Sequence, residues 1–219
     1  MMYFLKKYSA YLVFVPTLFV GAYAHGFSSP SFKNVGSPSV TLISTTQTET
    51  EATAFVKTMV DNGLNFLSNP KLSKKQKASK FHSLLNQNFD LDAIGKFAVG
   101  RYWRKMTAKQ QAEYLSVFKS MLVGVYAARF DEYQGQTVEL LNTVVLSKKD
   151  TLVKSRIITP KGGPEVPVDW RVRHKNGTYK IIDVMVAGVS MSVTQRSDFS
   201  SVIQRGGGDV SVLIDHLKN

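Results

Sequence analysis

The chain has 219 residues, 43% of them apolar, no cysteine and a formal charge of +12 at pH 7. That length fits one ordinary domain with a real core, and the composition excludes both a disordered chain and a polytopic membrane protein. Without cysteine there are no disulfides, no thiolate nucleophile and no thiolate metal site, while the charge suggests an anionic partner such as nucleic acid, a lipid headgroup or a membrane surface.

The first residues read as a secretory signal. Met1–Lys7 carries Lys6 and Lys7 and no acid, Tyr8–Val20 is apolar apart from Ser9 and Thr17, and Ala22-Tyr23-Ala24 is a small-x-small cleavage site before His25. The apolar run is shorter than the ~20 residues a membrane span needs. Residues 1–24 are therefore expected to be a signal peptide cleaved after Ala24, and the mature chain to be exported, which argues against nucleic acid as the partner. Residues 25–50, rich in Ser, Thr and Pro, read as a flexible leader. The folded domain is expected over residues 51–219.

From Glu51, Ala52, Phe55, Val56, Met59, Val60, Leu64 and Leu67 recur at helical spacing until Asn69-Pro70 ends the run. Ser73-x-x-Gln76 is a capping box for a second helix, Lys74–Gln87, with Phe81, Leu84 and Leu85 on one side and lysines on the other. Those lysines, Lys71, Lys74, Lys75, Lys77 and Lys80, read first as a wet face and second as a docking surface for an acidic partner. Phe89-Asp90-Leu91-Asp92 opens a third helix, with acids at its N-terminus, that stops near Gly100. Thr107-x-x-Gln110 caps a long helix, Ala108 to about Glu132, whose apolar face carries Leu115, Phe118, Leu122, Val125, Tyr126 and Phe130.

Past Gln134-Gly135 the period changes to two. Val138–Ser147 and Thr151–Thr159 form one hairpin around Lys148-Lys149-Asp150, and Val166–His174 and Thr178–Ala187 a second around Asn176-Gly177. Phe199–Arg205 and Asp209–Leu217 read as short helices flanking Gly206-Gly207-Gly208. Helices first and strands later imply an α+β fold with a four-stranded antiparallel sheet. The Asn176-Gly177 turn allows two registers. A bulged turn sets Trp170 opposite Ile182, Val168 opposite Val184 and Asp169 opposite Asp183. A two-residue turn instead brings Asp183 opposite Trp170. The bulged register is preferred because it keeps charge off the apolar face.

Several chemistries lack support. Gly188-Val189-Ser190-Met191-Ser192 misses the last glycine of a nucleophile elbow. His25, His82, His174 and His216 have no metal-ligand spacing, and no Gly-Lys-Ser/Thr follows the glycine run. Asp169 and Asp183 could be an acid dyad with one raised pKa, but a structural Asp–Arg network with Arg171, Arg156 or Arg196 is the plainer reading.

The order and spacing of Phe89-Asp90-Leu91-Asp92, Arg101-Tyr102-Trp103, Val168-Asp169-Trp170, Tyr179–Val184, Gly188-Val189-Ser190, Arg196-Ser197-Asp198-Phe199 and the glycine run resemble the MlaC, or toluene-tolerance, family. The resemblance covers most of the chain after about residue 50 and implies a periplasmic phospholipid carrier. It implies a curved sheet with helices against one side, like the cone of nuclear transport factor 2, and an apolar cavity between the layers for the acyl chains. The expected lining is Val168, Trp170, Val172, Ile182, Val184 and Val186 from the sheet and Leu122, Val125 and Tyr126 from the long helix. Phospholipid is then cargo and no cofactor is expected. The implied partners are an inner-membrane MCE-domain protein of an ABC transporter and an outer-membrane lipoprotein–porin complex, met by a monomer that maintains outer-membrane lipid asymmetry. Two other readings stay open: a small cone-fold enzyme with Asp169 or Asp183 as general base, and a non-catalytic envelope adaptor.

Overall fold

A computed structural model describes residues 40–218, with side chains from residue 46. The signal peptide expected at residues 1–24 lies outside the described residues. Helix α1 spans Val40–Ser68. It therefore starts at Val40 and not at Glu51, and takes up the end of the stretch expected to be a flexible leader. Its polar first turns are followed by the apolar stripe, of which Ala52, Val56 and Met59 are buried.

Helices α2 (Lys74–Asn88) and α4 (Ala108–Ala127) begin at the two capping boxes. In each, the cap hydroxyl accepts from the glutamine N–H three residues on, and that side chain returns a bond to the cap N–H. Between them α3 spans Leu91–Val99, with the Asp90 carboxylate accepting from Ala93 N–H at 3.0 Å. It stops where Gly100 takes a φ of +59°, and a 3-10 turn, Gly100–Lys105, leads on. Helix α4 is shorter than expected and is followed by a 3-10 turn at Phe130–Glu132. The Phe130 ring lies 5.5 Å from Phe81 and 6.3 Å from Phe66, which draws the chain out of the helix path and over α1 and α2.

The sheet is antiparallel, in the order β1 (Thr137–Val145), β2 (Asp150–Ile158), β3 (Val166–Lys175), β4 (Thr178–Val186) and β5 (Val189–Ser190). It has five strands where four were expected; the fifth is a two-residue edge pairing with Met185 and Val186. Helices α5 (Met191–Arg205) and α6 (Ser211–Lys218) complete the described chain.

The β3–β4 register differs from the preferred one. Asn176 and Gly177 have φ of 52° and 73°, and Lys175 faces Thr178, so this is the tight two-residue turn. The bulge lies further along: Val172 faces Ile181 and Arg171 faces Asp183, leaving Ile182 as the extra residue. That insertion moves Trp170 opposite Val184 and Val168 opposite Val186. The apolar face survives, with Val184 opposite Trp170 where Ile182 was expected and Ile181 opposite Val172. Asp169 faces Met185, so the two carboxylates do not oppose each other.

Buried residues form two clusters. One is helical, built from α3 to α6 around Tyr114, Phe118, Phe199, Ile203 and Leu213. Its depth shows at Gly95, where an added Cβ would lie 2.9 Å from Leu115, and at the Tyr114 hydroxyl, which donates to Gly95 C=O at 2.8 Å. The other joins Ala52, Val56 and Met59 of α1 to Val153, Val172 and Ile181 of the sheet.

Candidate functional site

Of the sheet residues expected to line a cavity, Val168, Trp170, Val172, Val184 and Val186 share one face, and Ile182 sits at the bulge. Val168 and Val172 are buried, whereas Trp170, Val184 and Val186 are only half-buried. Trp170 and Val184 pack against the sheet–α1 cluster. The indole N–H of Trp170 donates to Ser155 Oγ at 3.0 Å, and that hydroxyl donates to Val168 C=O. The ring is thus held by its polar end, with part of its apolar body left open. Ile182 is half-buried at the bulge, while its neighbour Ile181 is fully buried.

The α4 residues belong elsewhere. Leu122 and Val125 are half-buried against the helical cluster, and Tyr126 is 41% exposed with its ring 5.7 Å from Phe81. The expected lining is therefore divided between two clusters. Each contributes apolar side chains that its own packing leaves incompletely covered. A well-packed core leaves few such openings, because interiors reach crystal-like density.

Of the two candidate acids, Asp183 is held in structural bonds. Asp183 accepts from the backbone N–H groups of Val184 (2.9 Å) and Ser192 (3.0 Å) and from the Ser190 hydroxyl. Ser190 is the N-cap of α5, so Asp183 ties the last long strand to the start of that helix. The carboxylate that joins the arginines is Asp150. Its oxygens accept from Arg171 Nη2 at 2.7 Å and from Arg173 Nε and Nη2 at 2.7 and 2.9 Å. The Arg173 bond, with Arg171 adding to it against the opposing effect of burial, holds the Asp150 carboxyl below its ordinary range. Asp150 read as a turn residue in the sequence; it reaches the arginines because it pairs opposite Arg173 across β2 and β3. Among the described residues no cluster of three His, Asp or Glu could hold a metal ion.

A cleft of about 430 Å³ opens between α1 and α2. Asn62, Asn65, Asn69, Gln87 and Asn88 line it, with Ser79, Ser83 and Lys80, and Phe66, Leu72 and Leu84 add a smaller apolar part. Such a carboxamide-rich wall does not suit hydrocarbon. The sheet face with Trp170 and Val184 is the better surface for an apolar ligand.

Residues 57–219 match the family model described as MlaC protein. The chain belongs to the MlaC family. Among curated MlaC-like relatives, it is 28% identical over 149 residues to the toluene tolerance protein ttg2D of Pseudomonas putida, covering 64% of this chain and 67% of that protein. It is 22% identical over 126 residues to the intermembrane phospholipid transport system binding protein MlaC of Haemophilus influenzae, covering 56% of this chain and 59% of the relative. The chain thus spans less than two thirds of that second relative's length. The fold is similar to the phospholipid-binding protein from Ralstonia solanacearum, whose structure was determined with a phospholipid bound. The TM-score is 0.65 at 29% identity, over 76% of this chain and 94% of that one. This MlaC-family fold is α+β with an open antiparallel sheet.

Proposed function

We propose that the chain is a phospholipid carrier of the bacterial envelope, which takes the acyl chains between the sheet face and the helices and leaves the headgroup outside. The observation that carries this reading is the likeness, at 29% identity, to a protein whose structure holds a phospholipid. The half-buried Trp170, Val184 and Val186 on one side and Leu122 and Val125 on the other agree with it. Exposing hydrocarbon to water costs about 0.8 kcal/mol per methylene, so a lipid crosses an aqueous space only when its tails are covered. Covering them needs no cofactor and no bond-making residue. By this reading the protein works in the periplasm, is not an enzyme, and exchanges lipid with an inner-membrane MCE-domain protein of an ABC transporter and with an outer-membrane lipoprotein–porin complex. Lipid asymmetry of the outer membrane would follow from that exchange.

The test is phospholipid per mole in purified protein, by native mass spectrometry, alongside a thermal melt. Wild type should carry phospholipid. Val125→Trp and Val184→Trp should fold and carry less, because a lipid-filled space takes a bulky side chain by expelling lipid while a close-packed core does not. Variants that unfold outright would make these residues ordinary core. Folded variants with full lipid would place the tails elsewhere. Wild type without lipid would favour an adaptor.

A further inference from the structure

A belt of cations stacked on aromatic rings runs from the end of α3 into the 3-10 turn. Lys96 Nζ lies 5.1 Å from the centre of the Trp103 ring, and Arg101 and Lys105 lie over the Tyr102 ring at 5.2 and 5.8 Å. Arg196, from α5, lies over Phe97 at 5.1 Å. Gly100 brings the two halves together: a Cβ there would come within 3.0 Å of Arg196 Nε, so the bare backbone lets that guanidinium lie beside it, next to Arg101. Arg101 Nη2 also reaches the Tyr102 hydroxyl at 3.4 Å, and that bond lowers the pKa of the phenol.

Several cations elsewhere are paired with acids. Lys74 pairs with Asp131, Lys119 with Asp92, Arg156 with Glu139 and Glu165, and Lys218 with Glu113. Among the described residues, none of the ion pairs includes Lys96, Arg101, Arg104, Lys105 or Arg196. Two like charges, Arg101 and Lys105, share the Tyr102 ring, an arrangement that an external anion would relieve. Apolar side chains stand out beside them: Phe97 is 41% exposed and Val193, one turn before Arg196 on α5, is 56% exposed.

We propose that this surface, centred on Phe97, Arg101, Lys105, Val193 and Arg196, docks the protein onto an anionic phospholipid bilayer. An acidic protein would be met by cations aimed at fixed carboxylate positions. Here the cations lie over aromatic rings, and the exposed Phe97 and Val193 stand beside them. That mixture matches the headgroup–acyl boundary, where apolar groups sink and Lys and Arg meet phosphate. The inference goes beyond the carrier reading, since it concerns an outer surface whether or not the interior takes a lipid.

The full chain is floated with vesicles of equal parts phosphatidylglycerol and phosphatidylethanolamine, and with pure phosphatidylcholine vesicles, at low and high salt. Binding to the anionic vesicles alone, weakened by salt, is expected. The triple variant R101E/K105E/R196E should lose roughly a hundredfold in vesicle affinity, since each basic group near an anionic surface contributes about a fivefold factor. R101Q/K105Q serves if charge reversal disturbs folding, and Val193→Asp should also weaken binding. K74E/K75E/K77E should bind as wild type. Absent wild-type binding, equal binding to phosphatidylcholine, or undiminished binding by the belt variants would overturn the proposal. So would belt variants that keep vesicle binding but lose capture by an acidic protein. Phospholipid per mole, measured on each preparation, reads the carrier function separately.

Discussion

Asp150 is 5% exposed and holds two arginines whose side chains are 43% and 40% exposed. Asp150→Asn should cost about 1–3 kcal/mol at pH 7, towards the lower end because the arginines stay hydrated once the charge is gone. The pH dependence has a definite sign. The folded pKa is depressed, so the contribution is complete above the unfolded value of about 4 and is lost as pH falls through the folded value. Urea unfolding should therefore show wild type and variant converging below about pH 4. A gap that stays constant down to strong acid would refute this account. Asp183 makes a different case. Asp183→Ala should cost about 1 kcal/mol as a lost helix-terminus acceptor, and Asp183→Asn less, since one oxygen remains. A general base would show the reverse pattern, with Asn as damaging to turnover as Ala. The sequence pointed to Asp169 and Asp183 for an Asp–Arg network, whereas the acid that takes the arginines is Asp150. Asp150 joins only when β2 and β3 pair, and no local pattern carries that.

At the scale of elements, the two tight turns at Asn176-Gly177 and Ala187-Gly188 invite comparison. Each joins adjacent strands through two residues of positive φ, but the second has alanine at φ 49° where the first has asparagine at 52°. An L-residue with a Cβ pays ~1 kcal/mol in this region, which asparagine tolerates better. Ala187→Asn should raise the melting temperature, and Gly177→Ala should lower stability by about 1 kcal/mol. Calorimetry on both variants checks the pair; an unchanged or lower melt for Ala187→Asn would mean that the pairing of β5 tolerates no side chain there. Caps, helix starts and hairpin positions were legible because their signals are local: Ser73 with Gln76, Thr107 with Gln110, Asn176 with Gly177. The Ile182 bulge was not. Ile181 pairs in parallel with Phe89, and its C=O accepts from Asp90 N–H, so a segment of chain ahead of α3 helps fix the register of β4. A distant contact also reaches α1, where Tyr179 Oη donates to Glu51 at 2.6 Å.

For the molecule as a whole, the division into two clusters bears on stability. If lipid occupies the space between layers, it binds only the folded state. At lipid about a hundredfold above its Kd this adds ~2.7 kcal/mol, or about 5–10 °C in Tm for a domain of this size. Delipidated protein should melt lower by that amount and recover on adding phospholipid. An identical melt with and without lipid would mean that binding is weak or that the space is not there. The class of fold was readable from helices preceding strands. The composition of the lining was readable only as two apolar faces, because strand alternation and helix period say which residues share a side, not which sides meet.

Helix α1 is the first described element, yet its sheet partners are made late. Thr53 meets Thr143 across 90 positions, and Glu51 meets Tyr179 across 128. The helical cluster closes no sooner, since Phe118 waits for Phe199 and Leu213. In a chain that emerges from its N-terminus, Phe55, Val56 and Met59 stay wet until nearly the whole sequence has arrived. Non-local closure of this kind slows folding and leaves apolar surface open to wrong partners in the meantime. The order of synthesis and the order of packing run in opposite directions here, so the unfinished chain is the form most in need of a chaperone.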